Sequence, residues 1–150
     1  IVFGGGENGI MGAVAKSVIR NGAKTTGIIP NFLMKKDILD SAHSKIFNSK
    51  LIKTKTMHQR KKMMYDNSHG FLVLPGGIGT LDECFEVLTW CQLNQIKNKN
   101  VGIINFKGYW DPLINLIKHI IKEEYMSPNN FNYYEEIKNI NSLKIFLKNI

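Results

Sequence analysis

The chain has 150 residues, 43% of them hydrophobic, and no composition shift or linker divides it, so one compact domain with its own core is expected. Its longest apolar runs, Phe71 to Leu74 and Val101 to Ile104, are of strand length and far short of the ~20 residues that a membrane span needs. The formal charge of +8 arises from 20 basic residues against 12 acidic ones, and all the basic ones except Arg20 and Arg60 are scattered lysines, which argues for biased residue usage more than for a nucleic-acid surface. Where Lys is the default cation, an Arg marks a place that wants planar, two-pronged hydrogen bonding. Cys84 and Cys91 lie seven apart in one amphipathic stretch, a spacing that fits neither a disulfide framework nor a metal site, and no basic-then-apolar leader opens the chain. The expectation is a soluble, cytoplasmic protein without a metal. Because the first residue is not Met and the chain starts directly on an apolar strand, a chain incomplete at its N-terminus is also expected.

In chain order, Ile1 to Phe3 reads as a strand, Gly4-Gly5-Gly6 as a turn, and Ile10 to Arg20 as a helix with Ile10, Val14 and Val18 on one stripe, closed by Asn21-Gly22. Lys24 to Ile29 gives a second strand stopped by Pro30. Asn31 to Lys50 is polar and irregular, with a short helix near Asp37 to Ser44. Leu51 to Thr54 is a short strand, and Thr56 to Asn67 a helix carrying Met57, His58, Arg60, Met63 and Met64. Gly70 to Leu74 is a buried strand, Pro75 to Gly79 a turn, and Thr80 to Asn94 a helix whose inward stripe is Leu81, Phe85 and Leu88 with Cys84 and Cys91 beside it. Val101 to Asn105 is the next strand. Asp111 as N-cap and Pro112 in the first turn open a helix to about Glu124. A short strand near Tyr133 to Ile137 and a helix from Ser142 finish the chain. This alternation implies a parallel sheet with helices on both faces, with ligands at the carboxyl ends of the strands.

Gly4, Gly6 and Gly9 satisfy G-x-G-x-x-G between a strand and a helix, where backbone N–H groups and the helix N-terminus can hold a phosphate. A dinucleotide fold also wants an acidic residue at the end of the second strand, and Lys24 to Pro30 contains none. The lysine of a Walker A loop is missing too. A mononucleotide or sugar-phosphate cradle and a plain tight turn both remain open. Pro75-Gly76-Gly77-Ile78-Gly79-Thr80 again follows a buried strand and opens a helix, presenting N–H groups and a Thr hydroxyl to an anion. Thr80-Leu81-Asp82-Glu83 carries a rival reading: Thr80 as N-cap and Glu83 as the N3 residue of a capping box, needing no chemistry.

Met57-His58-Gln59-Arg60-Lys61 followed by Pro75-Gly76-Gly77-Ile78-Gly79-Thr80-Leu81-Asp82-Glu83 resembles the paired signatures of the LOG (LONELY GUY) family, often labelled lysine decarboxylases. Further similarity runs through Gly9-Ile10-Met11-Gly12, Ile29-Pro30, Glu86 to Trp90, Gln92-Leu93, and Asn105 to Asp111 with Gly108-Tyr109, covering residues 1 to about 128. The resemblance implies a Rossmann-like or flavodoxin-like doubly wound parallel sheet, in a homodimer, without a cofactor. It implies hydrolysis of a cytokinin-type nucleoside 5′-monophosphate, or AMP, to free base and ribose 5-phosphate. Arg60 and Glu83 match the family's catalytic pair and Gly76, Gly77, Ile78, Gly79 and Thr80 its phosphate loop, with Gly5, Gly6, Gly9, Met57, Lys61 and Glu86 as further substrate contacts. In two places the chain departs from the family: Tyr65-Asp66 stands where relatives commonly carry a second basic residue, and the family's first strand and helix have no counterpart. Pyridoxal-dependent decarboxylation needs a Schiff-base Lys with an acidic partner for the ring nitrogen, and no segment makes a case for that constellation.

Cleavage of an N-glycosidic bond builds positive charge on the sugar, so a carboxylate near C1′ can stabilise the transition state and orient water; Glu83 is the candidate. Arg60 would orient Glu83 or meet a substrate oxygen with two donors. His58 reads as a packing residue, and Met57, Met64 and Trp90 as core or pocket wall. The rivals are a non-catalytic nucleotide or nucleotide-sugar binding module, which would dispense with Arg60 or Glu83, and, on charge alone, a nucleic-acid-binding domain.

Overall fold

A computed structural model describes residues 1–34, 49–93, 95, 99–126 and 134–150. The expected helix over 37–44 and the start of the last expected strand at Tyr133 fall outside these residues. The described chain forms two compact units, Ile1–Ser68 and His69–Ile150. Each unit has a three-stranded parallel sheet of its own.

In the first unit, β1 (Val2–Phe3), β2 (Thr25–Pro30) and β3 (Ser49–Thr54) lie in the order β1-β2-β3, with Phe3 opposite Gly27 and Ile28 opposite Ile52. Paired on both edges, the central strand is almost wholly buried, and its sequence from Thr25 to Pro30 shows no polar–apolar alternation. Helix α1 (Gly9–Arg20) joins β1 to β2, and α2 (Met57–Asp66) follows β3. Among the side chains of α1, Gly12 and Ala15 are the buried ones, while Ile10 is 46% exposed. The stripe expected from Ile10 is therefore wrong: α1 packs through small residues, and a Cβ at Gly12 would run into the carbonyl of Glu7. Helix α2 begins where the sequence places it. Thr56 caps it by accepting from the Gln59 N–H at 3.2 Å, and the Gln59 side chain accepts in turn from the Lys55 N–H at 3.0 Å.

In the second unit, β4 (Phe71–Val73), β5 (Val101–Ile104) and β6 (Glu135–Ile137) lie in the order β4-β5-β6, all parallel. Helices α3 (Ile78–Gln92) and α4 (Asp111–Lys122) are the crossovers, and α5 (Ile140–Lys148) closes the chain. The core holds Val101, Ile103, Ile137 and Phe146 together with Leu113, Ile114 and Ile117 of α4. Asp111 is the first residue of α4 and Trp110 its N-cap, so the expected Asp111 cap is corrected by one position. Helix α5 starts before Ser142, which instead completes a capping box with Asn139. Strands alternating with helices around parallel sheets make this a Rossmann-like α/β fold. No helix among the described residues is long and apolar enough to cross a membrane.

Candidate active site

In the first unit, Arg60 sits one turn into α2 and is the one charged residue among the buried side chains described, at 9% exposure. Its Nε donates to the Ile28 carbonyl at 3.1 Å. The guanidinium then lies over Gly4, where a Cβ would overlap Nη2 and come within 3.2 Å of the Met11 sulfur. Gly4, Gly5 and Gly6 are buried, and Gly5 holds φ +78°, which favours glycine. The first glycine cluster is thus a turn that seats an arginine. Gly9 is exposed, with φ +63°. Met57 and Lys61 are half-buried, and His58, read as a packing residue, is exposed. Arg20 is exposed in the last turn of α1, where a cation suits the helix dipole. Beside α2 and β3, Lys53, Thr54, Lys55, Gln59, Lys62, Met63 and Asp66 line a shallow depression of about 470 Å³. In it, Lys62 pairs with Asp66 at 3.0 Å, an exposed ion pair one turn apart on α2.

In the second unit, α3 starts at Ile78, with Gly77 as an N-cap that offers no side-chain cap. The Thr80 N–H donates to the Gly77 carbonyl at 3.0 Å, so Thr80 stands at N3 and its side chain folds over Gly76, where a Cβ would strike Oγ1. This overturns the capping-box reading: Glu83 is in the second turn of the helix, beyond reach of any cap. Gly77 and Gly79 differ from Gly4, Gly5 and Gly76. Neither has positive φ, and a Cβ on either would meet nothing within 4 Å. Successive helical residues turn by about 100°, so Gly79, Glu83, Glu86 and Trp90 share one stripe of α3. Glu83, Glu86 and Trp90 are half-buried, whereas Cys84 and Cys91 on the adjoining face are buried. The stripe expected to point inward is only partly covered, with Phe85 39% exposed. Burial pushes the Cys84 thiol up to about 11 from 9.0 and raises Cys91 as well, against the lowering effect of a backbone hydrogen bond. Both cysteines are free. No group of three His, Cys, Asp or Glu among the described residues is placed to hold a metal ion.

The sequence reading gave no role to the turn after β5. Tyr109 donates from its hydroxyl to the Gly76 carbonyl at 2.8 Å, tying that turn to the glycine loop. Buried Asn105 accepts from the Trp110 N–H at 2.7 Å and donates to Asp111 at 2.7 Å and Glu136 at 2.6 Å, so one amide joins β5, β6 and the start of α4. The only sign of this in the sequence was the family-like run from Asn105 to Asp111.

A family model described as "possible lysine decarboxylase" matches residues 11–144. The chain belongs to this family, whose phosphoribohydrolase members are the LOG proteins. Cytokinin riboside 5′-monophosphate phosphoribohydrolase LOG1 of Arabidopsis thaliana is 39% identical over 128 residues, covering 85% of this chain and 57% of the relative. LOG5 of the same plant is 36% identical over 143 residues, covering 95% of this chain and 60% of the relative. The probable phosphoribohydrolase LOGL6 of Oryza sativa subsp. japonica is 40% identical over 129 residues, covering 86% and 49%. The chain thus spans about half to three-fifths of the length of these curated relatives. Its LOG signatures fall on two structural devices: the arginine-bearing start of α2, and the open glycine loop with the carboxylate stripe of α3.

Proposed function

We propose that this chain, acting as one nucleotide-binding domain, hydrolyses the N-glycosidic bond of an adenine-type nucleoside 5′-monophosphate, either AMP or a cytokinin riboside 5′-monophosphate. The products are the free base and ribose 5-phosphate. The observation that carries the reading is the first turn of α3, where Gly77 and Gly79 are glycines without a packing or conformational reason inside their unit. Open space above an uncapped helix start suits an anion that accepts backbone N–H groups. Glu83 follows Gly79 by four residues on the same stripe, about 6 Å along the axis. A 5′-phosphate on the first turn then sets the ribose over the second, with Glu83 beside the developing oxocarbenium charge and able to orient the attacking water. Arg60, with its planar donors, serves a substrate oxygen, and phosphate binding holds the scissile bond in place. Names of the relatives support the same chemistry. The test is chromatographic: incubation with AMP and with isopentenyl-adenosine monophosphate should release free base and ribose 5-phosphate, and adenosine should remain intact.

The working form is proposed to be a homodimer. Support comes from the incompletely covered apolar side of α3, where Ile78 is 81% and Phe85 39% exposed. Light scattering at micromolar concentration checks it. Two buried free thiols favour a reducing compartment such as the cytoplasm.

A further inference from the structure

We propose that Tyr109 is a positioning residue for the second glycine loop: it fixes the Gly76–Gly77 peptide so that the Gly77 N–H faces the ligand. This rests on the reading of that loop as the phosphate site. In a trans peptide the C=O and N–H point in opposite directions, and the described chain has no cis bond. Tyr109 draws the Gly76 carbonyl toward its hydroxyl at 2.8 Å, which turns the following N–H the other way. With glycine on both sides, nothing in the side chains resists a flip of this peptide, so its orientation depends on an outside hydrogen bond.

Tyr109 is held for that task rather than for the core. The residue is 51% exposed, so burial does not account for its position. Lys107 and Gly108 both hold positive φ, +56° and +73°, forming a tight turn that delivers Tyr109 to the loop. A Cβ on Gly108 would collide with the Asp111 carboxylate. Left-handed backbone at a lysine costs free energy and persists where its surroundings over-determine it. Here the surroundings are the Asn105 hub, which holds the Trp110 N–H, and the Trp110 ring, edge-on to Tyr109 at 4.9 Å and 86°.

Tyr109→Phe keeps the ring and removes only the donor. Binding of AMP and of adenosine to the whole chain is measured by calorimetry, and the Gly77 amide resonance is followed during titration with ribose 5-phosphate. Loss of one hydrogen bond that orients a ligand donor should weaken AMP about tenfold and leave adenosine unchanged. The ligand-induced shift of the Gly77 amide should shrink, with the melting temperature nearly constant and kcat at saturating AMP reduced less than the affinity. Equal AMP affinity in both proteins, with an unchanged Gly77 shift, overturns the role of Tyr109 while the loop assignment stands. Parallel weakening of AMP and adenosine overturns it in favour of a general structural role. A wild-type chain whose Gly77 amide ignores ribose 5-phosphate removes the phosphate reading itself, and the inference with it.

Discussion

At Gly4 the space that a side chain would fill is taken by the guanidinium of Arg60, and at Gly76 by the hydroxyl of Thr80; over Gly77 and Gly79 it is empty. The two clusters have similar composition and both stand between a strand and a helix, yet Gly4 and Gly76 are glycines for the sake of their own packing, whereas Gly77 and Gly79 stand where the fold makes no such demand. Glycine content alone therefore does not mark a ligand loop. What marks one is a glycine whose missing Cβ has no internal explanation.

Substitution of each glycine should separate the two kinds. Gly4→Ala is expected to have the largest effect, about 3 kcal/mol in unfolding free energy, because Arg60 cannot yield without giving up its bond to the Ile28 carbonyl. Urea melts showing wild-type stability would mean that the guanidinium is not seated there. A second effect sharpens the contrast between the faces of α3. The folded Cys84 thiol, near 11 against 9.0, favours the native state fully below pH 9, and that contribution is lost as pH rises from 9 through 11. About 2 kcal/mol should disappear across that window, and Cys84→Ala should flatten the pH profile of the melting temperature there. Both thiols should also resist alkylation at neutral pH.

Arg60→Lys comes next, at about 1–2 kcal/mol, since an ammonium keeps the charge but lacks the Nε donor for Ile28 and the planar fork over Gly4. Its base-release activity should be lost despite the conserved charge. Gly79→Ala should have the smallest effect on stability and of opposite sign: alanine in a helix gains about 0.5–1 kcal/mol over glycine. AMP affinity should nevertheless fall, because a methyl group now stands where the phosphate approaches. A Gly79→Ala chain that binds AMP as well as wild type would erase the distinction between the two kinds of glycine.

Strand–helix alternation, the seats of Arg60 and Glu83 on helices, and the buried central strands were legible because apolar periodicity records burial directly. Four features were not. Helix α3 begins before the Thr80-x-x-Glu83 pattern, which imitates a capping box inside a helix already under way, while a working Thr56-x-x-Gln59 cap opens α2. In α1, close packing requires small residues, so Gly12 and Ala15 face inward and the larger Ile10 does not. The Asn105 hub joins Glu136 across 31 positions, and no local pattern encodes a hydrogen bond of that span. Tyr109 to Gly76 is hidden for the same reason.

With Glu83 in the second turn of α3 rather than in its first, its charge becomes the most direct test of the catalytic assignment. Glu83→Gln preserves shape and hydrogen-bonding capacity and removes only the charge. Measured as release of adenine from saturating AMP, kcat should fall by roughly 10² or more, with AMP affinity and melting temperature close to wild type. A Glu83→Gln chain that releases adenine at the wild-type rate would contradict the account.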